Sequence, residues 1–234
     1  MGSNRPGAHG RVSLAAPLLI AFSLAACAPR PPRLVPPSGG VEAVEGFGSA
    51  SIVGAEASVK GRFGFVFRGS GLGRIEAVDP IGRTAFLILF REGRAWFVLP
   101  GRKAYAEDAA GVMMERFLGV AIEPREAVLL LSGAWGAGAP LEAGQGEDAW
   151  LLDHDAEGRV VRGAHGEFSF AVKSFFPGDG VPREIALAGP DTSGRVKVLK
   201  AAFNPPRRDE AFDVTFLSRF TAKTWDEILE LLER

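Results

Sequence analysis

Three places in this 234-residue chain gather residue types able to do chemistry. Cys27 is the only cysteine, and its thiolate would be a nucleophile able to take a covalent group. His154 stands between Asp153 and Asp155, a grouping that suits proton transfer or metal ligation. His165 and Glu167 flank Gly166 and could line a pocket. The partners that catalysis needs are absent from the sequence. There is no Gly-x-Ser-x-Gly nucleophile elbow and no His-Glu-x-x-His zinc helix. Gly71-x-Gly73 is incomplete as a phosphate loop. His154 leads into Glu157-Gly158 and reads as part of a solvated turn; His165 and Glu167 read as strand ends. A lone cysteine allows no internal disulfide and no zinc–cysteine site. The expectation is therefore no catalytic residue, no metal ligand, no cofactor and no enzyme.

Cys27 gains meaning from what precedes it. It closes the run Leu24-Ala25-Ala26-Cys27, after a segment carrying Arg5 and Arg11 and an apolar stretch over residues 14–24. That pattern is a secretory signal, too short and wrongly flanked for a membrane-spanning helix. The small pair before the cysteine resembles the bacterial lipobox. The resemblance implies that the thiol receives a diacylglyceryl group, that residues 1–26 are removed, and that the new amine is acylated. Each buried methylene contributes about 0.8 kcal/mol and one chain holds only marginally, so three chains make a lasting anchor. Ala28 follows instead of the aspartate that retains many such proteins in the inner membrane, which points to the periplasmic face of the outer membrane. Residues 27–40 hold the lipidated cysteine and a Pro-rich, then Gly-rich tether, and residues 41–234 form one domain.

Without residues 1–26 the chain keeps 25 Lys+Arg against 28 Asp+Glu, a net charge of −3. That balance is no nucleic-acid footprint, and the expectation is no strongly basic face for anionic lipid. No repeat of fixed period occurs.

The segments that must position any site read mainly as strands. Residues 62–68 alternate, with Phe63, Phe65 and Phe67 on one face. Residues 74–78 form a second run. Residues 83–90 and 94–99 are apolar on both faces and are joined by a hairpin at Arg91-Glu92-Gly93. Such strands are covered on both sides. Helical spacing appears over 107–118 and 124–131. Residues 134–147 are Gly- and Ala-rich and read as irregular. Further strands are expected over 150–154, 159–165, 167–174, 183–188, 195–203 and 211–216. A terminal helix spans 225–234, with Thr224 and Glu227 at capping-box spacing. Short turns between the strands favour antiparallel pairing.

Between residues 46 and 133 five segments stand in an order known from one family. They are Gly61-Arg62-Phe63-Gly64-Phe65, Asp79-Pro80-Ile81-Gly82-Arg83-Thr84, Lys103-Ala104-Tyr105-Ala106-Glu107-Asp108, Phe117-Leu118-Gly119-Val120 and Leu129-Leu130-Leu131-Ser132-Gly133. In order and spacing the chain resembles the outer-membrane lipoprotein insertase LolB family, within the wider LolA/LolB-like lipoprotein carriers. After Gly133 the similarity is only a strand-rich pattern, and the terminal helix departs from the family. The resemblance implies an α+β, mainly β fold: a curved antiparallel sheet, an incomplete barrel, covered by helices around an internal apolar cavity. It implies that the cavity takes lipoprotein acyl chains from a LolA-like periplasmic carrier.

The wall of that cavity is expected from Phe63, Phe65, Phe67, Phe86, Ile88, Trp96 and Val98 on neighbouring strands, with Met113, Met114, Phe117 and Leu118 on the lid. Phenylalanine brings area without a polar tip, and the chain has 17 Phe against one Tyr. In the family the position of Ile81 lies on a projecting loop tied to delivery into the bilayer. Here Pro80 and Gly82 flank it. The expected function is receipt of lipoproteins and their insertion into the outer membrane by a lipid-anchored monomer. The alternative is a lipid- or lipoprotein-sensing module on the same fold.

Overall fold

The computed structural model describes residues 34, 40–54, 56, 58–118, 120–135, 150–178 and 180–233. Cys27 and nearly all of the tether lie outside the described residues, as does most of the 134–147 segment. The described residues belong to one unit, Pro32–Arg234.

Period-two alternation sets the architecture. Strands β1 (Ala43–Val53), β2 (Ser58–Arg68), β3 (Gly73–Val78), β4 (Thr84–Arg91), β5 (Arg94–Leu99) and β6 (Ala104–Ala109) form an antiparallel meander. Helices α1 (Ala110–Leu118) and α2 (Pro124–Ser132) follow. Then come β7 (Leu151–His154), β8 (Val160–His165), β9 (Phe168–Phe175), β10 (Pro182–Ala188) and β11 (Ser193–Phe203). Two 3-10 turns, Asp209–Phe212 and Thr215–Arg219, lead to β12 (Thr221–Ala222) and helix α3 (Trp225–Leu232). All twelve strands make one curved open sheet, in the order β12-β6-β5-β4-β3-β2-β1-β11-β10-β9-β8-β7. Among the described strands only the β12–β6 pair is parallel. This is the mainly β, helix-covered, unclosed barrel expected from the sequence.

The seam of the sheet is β1, which joins the two halves by pairing with β2 and β11. Its glycines hide it in the sequence, since Gly weakens a strand signal. They also explain its packing. A Cβ on Gly46 would lie 2.2 Å from the Lys200 carbonyl oxygen and 2.5 Å from the Phe65 ring. One on Gly48 would lie 2.8 Å from the Lys197 carbonyl oxygen and 3.1 Å from the Phe63 ring. Bare backbone lets the rings of β2 lie across β1.

Local structure departs from expectation in four further places. Residues 104–109 are strand β6, although helical spacing starts at Glu107; the helix begins only at Ala110. Pairing with β5 along the whole of Ala104–Ala109 overrides the helical spacing there. Residues 211–216 are turns instead of a strand, because Asp213 folds back to bond Thr215. Leu34, within the expected tether, makes an isolated bridge with Gly178 and packs partly buried on the core. The net charge hid a segregation: Lys60, Arg62, Arg195, Lys197 and Lys200 share the outer face of the sheet, where strand register collects them.

Candidate functional site

The inner face of the sheet and its helical cover do not meet everywhere. Between them lies a cavity of about 140 Å³. Its sheet wall is Phe63 and Phe67 from β2, Ile75 and Ala77 from β3, Phe86 and Ile88 from β4, with Ala50 and Ile52 from β1. Its cover is Met114, Phe117 and Leu118 from α1 and Ala127, Leu130 and Leu131 from α2. Ile185, Leu187 and Val196 close the far side. Every lining residue is apolar. A space walled that way stays free of water and takes apolar guests. One water-sized group occupies about 10–15 Å³ on this scale, so the cavity has room for roughly ten such groups, or most of one acyl chain.

The cover has a defined local basis. Met114, Phe117 and Leu118 recur at helical spacing on one stripe of α1. Pro124 starts α2, and Glu123 and Glu126 form a reciprocal capping box. Gly133 ends it at φ +74°, where a Cβ would meet the Gly180 carbonyl oxygen at 2.4 Å. Rings stack behind the wall: Phe86 on Phe97 at 5.0 Å and Phe97 on Phe117 at 5.5 Å, with Trp225 of α3 edge-on to Phe117 at 5.6 Å.

One arginine ties the cover to the sheet. Arg116 of α1 donates to Glu56 in the β1–β2 turn at 2.7 Å and to Asp108 of β6 at 2.9 Å. Its guanidinium also lies 5.1 Å from the Trp225 ring centre. The Arg116 hydrogen bond holds the Asp108 carboxyl below its ordinary pKa of 3.8.

Ile81 sits at the tip of the β3–β4 turn and is 75% exposed. The turn is built to hold it out. The Asp79 carboxylate accepts from the Arg83 amide at 2.9 Å and the Ile81 amide at 3.0 Å, and Arg83 Nε donates to it at 2.9 Å. Gly82 takes φ +84°, a conformation that costs Gly nothing. The Arg83 amide and guanidinium together lower the Asp79 pKa.

Of the expected wall and lid residues, Phe63, Phe67, Phe86, Ile88, Met114, Phe117 and Leu118 line the cavity. Phe65 shares their face but is buried between Phe63 and Phe67, over Gly46. Met113 is fully buried in the core behind the wall. Trp96 and Val98 are a correction. They lie on the outer face, packed with Leu87, Leu89 and Leu217. The cause is register: Arg91 pairs with Arg94 and Ile88 with Phe97, so even positions on β4 share a face with odd positions on β5. A two-residue hairpin loop at Glu92-Gly93 dictates that parity, and it was the signal in the sequence that placed Phe97, not Trp96, inside. Pro80 and Gly82 lie on either side of Ile81 within the exposed turn. Cys27 lies outside the described residues. His154, Asp153 and Asp155 do not converge on a pocket. Asp155 binds Arg159 within its own turn. His165 stacks on Trp150 at 5.3 Å. Among the described residues no group of acids and histidines is placed to hold a metal, and no helix is long and apolar enough to cross a membrane.

No family model matches the sequence, and no curated protein does so either. Solved structures match the fold. A LolA superfamily protein from Nitrosomonas europaea superposes with a TM-score of 0.50 at 11% identity, over 75% of this chain and 91% of that one. A domain provisionally named for outer-membrane lipoprotein sorting, from Vibrio parahaemolyticus, gives 0.49 at 13% identity, over 76% and 92%. A DUF1329 family protein from Desulfovibrio piger gives 0.48 at 10%, over 77% and 93%. The chain has a LolA-like fold. At these identities the likeness is one of fold alone.

Proposed function

We propose that this protein is a lipoprotein acceptor that shelters an acyl chain in the cavity and releases it into the outer membrane. The observation that carries the reading is the wholly apolar cavity between sheet and cover. Its chemistry selects hydrocarbon: burying apolar area contributes about 25 cal/mol per Å², with no polar group to reward any other ligand. The fold supports the same class of ligand, since it is shared with a protein named for the LolA superfamily. The LolB-like role adds delivery. Ile81, held out by Asp79 and Gly82, is the group that dips into the bilayer interface, and Cys27 is the lipidated anchor that keeps the domain at the periplasmic face.

Transfer is passive and involves no covalent step. A LolA-like carrier presents the chains, the cavity takes them, and the bilayer takes them in turn because each acceptor binds better than the last donor. At rest the cavity has room for most of one chain, so a triacylated cargo requires the cover to move outward. The Arg116 contacts to Glu56 and Asp108 are the ties that must give. The test is reconstituted transfer to vesicles with Ile81→Glu. Delivery should stop while binding of a fatty-acid probe stays at the parent level. Undiminished delivery removes the loop from the mechanism.

A further inference from the structure

The outer face of the sheet beside the Ile81 turn carries charge that the cavity does not explain. Lys60 and Arg62 of β2 stand opposite Ser51 and Ser49 of β1. On the other flank of β1, Lys197 stands opposite Ser49 and Lys200 opposite Phe47. Register thus gathers four cations around one strand. None of the four has an acidic partner among the described residues. The acids on this face are engaged elsewhere: Glu184 binds Arg195 at 3.0 Å, Asp79 binds Arg83 at 2.9 Å and Glu76 binds Arg74 at 2.9 Å. Glu45, on the same face of β1, binds Arg208, Glu56 in the β1–β2 turn binds Arg116 at 2.7 Å, and Asp191 lies in the β10–β11 turn.

Two further features share that end of the molecule. A groove at this end of the sheet is lined by Lys60, Arg62, Asp79, Pro80 and Gly82 and reaches the inner-face ring of Phe63, so Lys60, Arg62 and the Ile81 turn border the same depression. Val53, at the end of β1, is 59% exposed and Ile81 is 75% exposed. The β1–β2, β3–β4 and β10–β11 turns all lie at this end of the sheet. Apolar tips backed by unpaired cations match a bilayer interface, with hydrocarbon boundary outside and phosphate behind it.

We propose that the outer face of β2–β1–β11 docks on anionic phospholipid headgroups and so presents the Ile81 turn to the membrane. The chain is net negative, so this face is what turns the domain toward an anionic surface and its acidic remainder away from it. The inference does not depend on cargo binding, and the test contains no cargo.

The experiment uses the full chain with Cys27→Ser, which carries no acyl anchor, and vesicle flotation. Vesicles are phosphatidylcholine alone or with added phosphatidylglycerol, at about 0.1 M salt where the Debye length is about 10 Å. The parent should favour the anionic vesicles at least about tenfold, since several basic groups lie near the surface. The variant Lys60→Gln, Arg62→Gln, Lys197→Gln, Lys200→Gln should fall to its phosphatidylcholine level. Should that variant fail to fold, Lys60→Gln with Arg62→Gln should lose about threefold or more. The proposal is overturned if the parent shows no preference. It is also overturned if the variants keep it, which would assign it to the N-terminal segment. The third contrary result is suppression by inorganic phosphate beyond chloride of equal ionic strength, which would mark a free-phosphate site.

Discussion

The two faces of strand β4 are made of the same kinds of residue and are used in opposite ways. Outward, Leu87, Leu89 and Val98 are sealed by Leu217 of a 3-10 turn, with Trp96, Tyr105, Val214, Phe216 and Phe220 packed around them. Inward, Phe86 and Ile88 face a hollow that helices α1 and α2 cover without filling. The difference lies in the cover. A short irregular segment follows the sheet surface and fills it, whereas two helices keep their backbones at a distance and leave a gap where side chains do not reach. Protein interiors are ordinarily close-packed. A hollow on one face of β4 and a solid patch on the other are therefore a property of the covering elements and not of the strand composition.

Stability should separate the faces most sharply. Leu89→Ala, on the solid side, is expected to cost about 2–5 kcal/mol in chemical denaturation, with fatty-acid binding unchanged by the residue itself. Ile88→Ala, its neighbour on the hollow side, should cost about 2 kcal/mol or less, because a side chain bordering a void has already forfeited contacts there. Equal losses would mean that the hollow is packed in solution.

Filling the hollow reverses the comparison. Ala127→Phe places a ring in the cavity and should lower fatty-acid affinity at least about tenfold, roughly 1.4 kcal/mol. Its effect on stability should be within about 1 kcal/mol, since the ring enters empty space. A volume change of equal size on the outer face should leave binding alone.

The tie between cover and sheet gives a smaller effect with a pH signature. Asp108 has its pKa lowered by the Arg116 hydrogen bond. A lowered carboxyl pKa adds stability above the unfolded value and loses it as pH falls through the folded one. The cover should therefore hold steadily above about pH 5 and loosen below about pH 4. Hydrogen exchange of α1 reads this directly, and Asp108→Asn should flatten its response below about pH 4. Exchange that is insensitive to acid in both proteins would remove Arg116 as the tie.

Ile81→Glu is expected to change stability least, within about 0.5 kcal/mol, as an exposed turn residue does. Its consequence belongs to delivery alone.

Much of this arrangement is legible in the sequence, and the illegible parts have physical causes. The Phe63-Phe65-Phe67 face and the α3 capping box follow from period and spacing, and both are present. Asp79, Pro80 and Gly82 mark a turn at Ile81 in the sequence, but its projection came from the family resemblance and not from the residues. Trp96 and Val98 were misplaced because a strand apolar on both faces carries no parity of its own; only the hairpin loop length supplies it. Strand β1 was invisible because the glycines that admit the Phe63 and Phe65 rings erase its alternation. The cationic outer face was invisible because net charge sums over all faces. It takes register across β2, β1 and β11 to bring Lys60 and Lys197 to one surface.

The most direct test of the central claim is saturation binding of a fluorescent fatty acid to the purified chain, run beside Ala127→Phe. The account predicts one site per chain in the parent and its loss in the filled variant, with both proteins folded. Binding that fails to saturate, or that survives filling of the cavity, would contradict it.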